Sequence, residues 1–158
     1  MTAETDSSDD RINLIVVFGG QSAEHDVSCT TAAHVLRAAD PAKYRITPVG
    51  IGRDGQWSLA AAASASLAEG PQALPGHLDA TGEAIEPTLA VVGAGSGRTV
   101  VMPLLHGPMG EDGTIQGLLE MANLPYVGSG VLGSAVGMDK AMAKQVAAAN
   151  GIPQARYV

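Results

Sequence analysis

Three side chains able to do chemistry, Glu24, His106 and Lys140, each stand close to glycines in this sequence. His106 opens the loop His106-Gly107-Pro108-Met109-Gly110-Glu111-Asp112-Gly113, whose three glycines let backbone and ligand approach closely. Glu24 ends the stretch Gly19-Gly20-Gln21-Ser22-Ala23-Glu24. A carboxylate beside an imidazole at a strand rim can hold the ammonium and carboxylate ends of an amino acid. Lys140 stands at a helix start after a glycine-rich turn, where a cation reaches polyphosphate that backbone N–H groups also face.

Each residue also has a plainer reading. Glu24 suits a helix first turn, where the dipole favours a carboxylate. His106 suits a satisfied structural histidine at a strand end, and Lys140 a solvated helix lysine, as does Lys144 one turn later. Gly19-Gly20 by itself suits a tight turn, and it lacks the spaced third glycine of a dinucleotide fingerprint.

These positions need elements to hold them. Ile12 to Phe18 is an apolar, β-branched run that suits a strand covered on both faces. Ser22 is predicted to cap a helix running to about Ala39, with Glu24 and Asp26 in its first turns and Pro41 closing it. Arg45 to Ile51 reads as a second strand, giving a βαβ start with ligands expected at the carboxyl ends of the strands. Thr99 to Leu105 reads as a third core strand, so in a parallel sheet the Gly19 and His106 loops share one rim. Asp112, Thr114 and Glu111 surround the next helix start, and Ile115, Leu118, Leu119 and Ala122 follow at helical spacing.

Elsewhere the reading is coarser. Arg53-Asp54-Gly55 is a turn leading into a short strand at Gln56 and Trp57, and residues 60–68 form a helix or an ordered loop. Pro71 to Glu86, with few large apolar residues, is predicted to be a surface excursion. Pro125-Tyr126-Val127 is predicted to be a short fourth strand, followed by the small-residue segment Val131 to Val136. Asp139 to Ala149 is a further helix, stopped by Gly151 and Pro153. The fold class is α/β, with a mainly parallel sheet flanked by helices.

Composition bounds the function. With 158 residues and 46% hydrophobic content, one domain with a real core is expected. A net charge of −7 without clustered Lys or Arg argues against nucleic acid. No apolar run approaches the ~20 residues of a membrane span. Cys29 is expected to be a small buried hydrophobe, and His25, His34 and His77 lack partners at metal-ligand spacing. Residues 1–11 read as a disordered tail of a cytoplasmic protein. Arg156-Tyr157-Val158 begins a fresh apolar run, which suggests that more chain follows.

Four blocks in register resemble the D-alanine:D-alanine ligase family: Val17-Phe18-Gly19-Gly20-Gln21-Ser22-Ala23-Glu24-His25-Asp26-Val27-Ser28, Leu105 through Gly117, Pro125 through Leu132, and Gly137-Met138-Asp139-Lys140. The resemblance runs from about Asn13 to the last residue and is weakest between Gly52 and Arg98. It implies a Rossmann-like, pre-ATP-grasp domain over 12–150, with 151–158 starting a central ATP-grasp domain. It also implies ATP-dependent joining of two D-alanines through an acyl phosphate for peptidoglycan synthesis. Glu24 then recognises the ammonium of the first D-alanine as the catalytic-site carboxylate, with Gly19, Gly20 and His106 in the same subsite. Lys140 contacts ATP phosphates. Magnesium ligands are expected outside these residues, and a homodimer is expected. A D-lactate or D-serine acceptor, or a non-catalytic amino-acid-binding or dimerisation module, are the competing readings; a reading frame continuing into an ATP-grasp domain favours the enzyme.

Overall fold

The computed structural model describes residues 10–87 and 98–156. Most of the expected tail, and Tyr157 and Val158, lie outside the described residues. In chain order the elements are β1 (Ile12–Gly19), α1 (His25–Ala38), β2 (Tyr44–Ile51), β3 (Trp57–Leu59), α2 (Ala61–Glu69), a 3-10 turn (Pro71–Ala73), β4 (Glu83–Ala84), β5 (Thr99–Pro103), α3 (Thr114–Met121), α4 (Val131–Met138) and α5 (Lys140–Ala149). The strand order is β4-β3-β2-β1-β5. β1 pairs in parallel with β2 and β5, whereas β3 and β4 add an antiparallel edge.

The central place of β1 follows from its sequence. Alternate side chains of a strand leave on opposite faces. Leu14, Val16 and Phe18 pack with Cys29, Ala32 and Leu36 of α1. Ile15 and Val17 pack on the other face with Ile115 and Leu119 of α3. A strand covered on both sides needs an uninterrupted apolar run, and Ile15 to Phe18 are fully buried.

Three local expectations change. The helix α1 starts at His25, not beside Ser22, and Glu24 holds its N-cap position without a side-chain cap bond. The Ser22 hydroxyl accepts from the Glu24 amide ahead of the helix and donates to the carbonyl of His106. The Pro71 to Glu86 stretch is not a mere surface excursion, because Leu74, Leu78 and Ala80 are buried in the α1 side of the core. Their spacing follows no helix or strand period, yet Arg37 donates to the Leu74 and Pro75 carbonyls and the Leu78 amide donates to Cys29 O, drawing the segment onto α1. Pro125-Tyr126-Val127 makes a one-residue parallel bridge, Tyr126 to Val101, rather than a full strand. Pro125 has no N–H to give, and Gly128 turns the chain away with φ +128°.

The remaining elements match their patterns. Residues 61–69 are a helix, α2. Asp139 caps α5, its carboxylate accepting from the amides of Ala141 and Met142. No helix among the described residues is long and apolar enough to cross a membrane.

Candidate functional site

The parallel pairing of β1 with β5 sets Val17 beside Pro103, so the loops leaving both strands emerge on one rim. Gly19 and Gly20 turn the first loop with φ of +90° and +96°. A side chain at Gly19 would collide with the Ile51 carbonyl, which itself accepts from the Gly20 amide at 2.8 Å. His25, 8% exposed, reaches back so that Nδ1 lies 2.7 Å from Gly20 O. The double glycine is therefore a required turn whose backbone is held from β2 and α1.

Two serines tie this loop to the exit of β5. The Ser22 hydroxyl donates to His106 O at 2.7 Å and accepts from the Glu24 amide at 3.2 Å. Ser28, fully buried, donates to Leu104 O at 2.6 Å and accepts from the Gly19 amide at 2.8 Å. Glu24 is thereby carried over the second loop. Its Oε2 lies 3.0 Å from where a Cβ of Gly107 would stand. With no cap bond to make, its exposed carboxylate is open to a ligand, which the first-turn reading did not require. The His106 ring is held by Thr31, whose Oγ1 lies 3.4 Å from Nε2.

The rest of the second loop is braced by its own acids. The Gly107 amide donates to Glu111 Oε2 at 2.8 Å. Asp112 accepts from the amides of Met109 and Thr114, spanning the loop to the start of α3. The Met109 amide holds the Asp112 carboxyl below its ordinary range; partial burial opposes this and the Thr114 amide adds to it. Gln116, 6% exposed, donates to Gly110 O at 3.0 Å, and among the described residues its Oε1 has no partner.

Two cavities flank Leu105. The first, about 230 Å³, is lined by Gly20, Gln21, Trp57, His106, Met109 and Ile115 and is mostly apolar. The second, about 380 Å³, is polar and includes Glu111, Gln116, Ser129, Ser134 and Lys140. Lys140 is exposed and donates to Gly137 O at 2.9 Å. The structure thus brings Gly19, Gly20, Glu24 and His106 to one rim and sets Lys140 on the neighbouring cavity. Among the described residues no group of three His, Cys, Asp or Glu side chains could hold a metal ion.

Sequence reading overlooked Ser22 as a cross-loop tie, together with Ser28, Thr31 and Gln116. A signal was present for two of them. Glu24, Ser28 and Thr31 are spaced i, i+4, i+7, which places three oxygen-bearing side chains along one helix face.

A family model described as "D-ala D-ala ligase N-terminus" matches residues 13–129. A D-alanine–D-alanine ligase of Nocardia farcinica is 49% identical over 155 residues, a match covering 90% of this chain and 42% of that protein. Among solved structures, the D-alanine-D-alanine ligase from Coxiella burnetii has a TM-score of 0.72 at 36% identity, covering 93% of this chain and 43% of that one. The VanG D-Ala:D-Ser ligase from Enterococcus faecalis has a TM-score of 0.69 at 31% identity, with 89% and 42% covered. The chain spans about 42–44% of the length of curated relatives such as these. On the match over residues 13–129, which spans the strands, the first helix and both rim loops, the chain belongs to the D-Ala D-Ala ligase N-terminus family.

Proposed function

We propose that the complete protein joins two D-alanines into D-alanyl-D-alanine with ATP, for peptidoglycan synthesis. Residues 12–150 supply its N-terminal substrate domain, and 151–158 lead into a central ATP-grasp domain. The observation that carries this reading is the Ser22 tie, which joins the Glu24 amide to the His106 carbonyl and so sets a residue with a carboxylate and one with an imidazole on one strand rim. Relatives that share this domain at 44–49% identity are named D-alanine–D-alanine ligase.

In the reaction, a carboxylate oxygen of the first D-alanine bonds to the terminal phosphorus of ATP, and ADP leaves. The amino nitrogen of the second D-alanine then attacks the acyl carbon, phosphate departs, and the nitrogen gives up a proton. Such chemistry rests on positioning and charge neutralisation more than on a protein nucleophile. Glu24 holds the ammonium of the first D-alanine, and His106 holds its carboxylate end. Gly19 and Gly20 let the substrate approach the backbone. Lys140, an exposed ammonium on the wall of the second cavity, fits a phosphate contact once it leaves Gly137 O.

Magnesium would neutralise phosphate charge in such a reaction. The described residues do not fit it, since no acidic cluster among them could hold a metal; its ligands are assigned to none of them. The acceptor is a separate matter. A D-Ala:D-Ser ligase shares this domain at 31% identity, so D-serine is a second candidate for the attacking amine. Use of ATP goes with a cytoplasmic location. A homodimer has a candidate face on α4, where Leu132 is 76% exposed beside the small residue Gly133.

The test is Glu24→Gln in the complete protein. Loss of a charge-assisted hydrogen bond to an ammonium costs about 1.5 to 3 kcal/mol. The first-site Michaelis constant or turnover for D-alanine should worsen by roughly tenfold or more, with the fold intact by circular dichroism. Unchanged values for both would sink the assignment, and absence of D-alanyl-D-alanine from the wild-type protein would sink the activity.

A further inference from the structure

His106 is gripped at both ends by the β1–α1 segment. Its carbonyl accepts from Ser22 at 2.7 Å, and its Nε2 lies 3.4 Å from Thr31 Oγ1. Thr31 also donates to the Val27 carbonyl one turn earlier in α1, at 2.9 Å. A hydroxyl carries one proton and two acceptor lone pairs. The shorter contact, to a carbonyl that can only accept, takes that proton. Towards His106 the Thr31 oxygen is then an acceptor, and the imidazole must be the donor through Nε2–H.

We infer that Thr31 is a positioning residue acting through His106, fixing the neutral ring in its Nε2–H form and leaving Nδ1 as the nitrogen available to a ligand. Among the described residues Nδ1 has no hydrogen-bond partner. The tautomer of a histidine is set by the bond its other nitrogen makes. Here that bond comes from a helix already tied to the rim by Ser28, so ring direction and backbone position are fixed by one rigid element. As an amino-acid contact, a role that rests on the ligase reading above, Nδ1 would give a proton to the carboxylate end of the first D-alanine when the ring is charged, with Nε2–H still donating to Thr31.

The experiment separates the two layers. Thr31→Val keeps the β-branched shape but removes the hydroxyl, and Thr31→Ser keeps the hydroxyl. In the 158-residue chain, nitrogen NMR at about pH 9, above the ordinary histidine range near 6.5, should show widely separated His106 ring signals typical of one tautomer. Thr31→Val should draw the two signals together, and Thr31→Ser should restore their separation. In the complete protein, Thr31→Val should raise the first-site Michaelis constant for D-alanine about three- to tenfold, leaving that for ATP unchanged. Ring signals that do not move in Thr31→Val overturn the inference. Moved signals with an unmoved Michaelis constant uphold the hold of Thr31 on the ring and count against His106 as an amino-acid contact.

Discussion

Ser28, a residue of α1, donates its hydroxyl proton to Leu104 O at the exit of β5, 2.6 Å away, across 76 residues of sequence. The same oxygen accepts from the Gly19 amide at 2.8 Å, so one buried atom joins the two loops that frame the rim. Ser28→Ala would strand two backbone groups away from water, and an unsatisfied buried group costs about 1 to 3 kcal/mol. Urea unfolding should therefore show a loss of about 2 kcal/mol or more; a loss below about 0.5 kcal/mol would mean that water reaches both groups.

Gly107→Ala tests the close approach of the two loops. Gly107 has φ +71°, and an added methyl would stand 3.0 Å from Glu24 Oε2. The left-handed backbone should cost about 1 kcal/mol of stability. Displacement of the carboxylate should add a defect confined to D-alanine, read as a raised first-site Michaelis constant with that for ATP unmoved. Equal damage to both substrates would point to general unfolding of the loop.

Asp112 should confer acid sensitivity on the second loop. The Met109 amide and then the Thr114 amide hold its carboxyl below the ordinary range against the opposing effect of burial. The folded value lies below the unfolded one of about 3.9. Its stabilisation is therefore complete at neutral pH and is lost as pH falls below about 4 through the folded value. Asp112→Asn should be less stable than wild type at pH 7, with the gap narrowing towards pH 3 in thermal unfolding. A gap that stays constant over that range would contradict the assignment.

Cys29 should be inert while the chain is folded. Burial pushes its thiol up to about 11, and the negative charge of Asp26 acts in the same direction. An unfolded cysteine titrates near 8.5, and the thiolate is the reactive form. A disulfide reagent at pH 8 should therefore label native protein at least about 100-fold more slowly than urea-unfolded protein. Comparable rates would show that α1 opens readily over this residue.

The sequence by itself carried the local physics. The unbroken apolar run of β1 announced a strand buried on both faces, and the loop acids around Asp112 announced a helix start; each rests on neighbours a few residues apart. Glu24 and His106 stood out as candidates from residue type and flanking glycines alone. The tertiary structure decided what depends on partners far along the chain. Ser22 kept an amide bond at the helix entry and gave its proton to a carbonyl 84 residues away, and Leu74, Leu78 and Ala80 entered the core without any period to reveal them. Thr31 gained its place beside the His106 ring only when β5 paired with β1, because a hydroxyl on a helix surface has no defined partner until the sheet order brings one within reach.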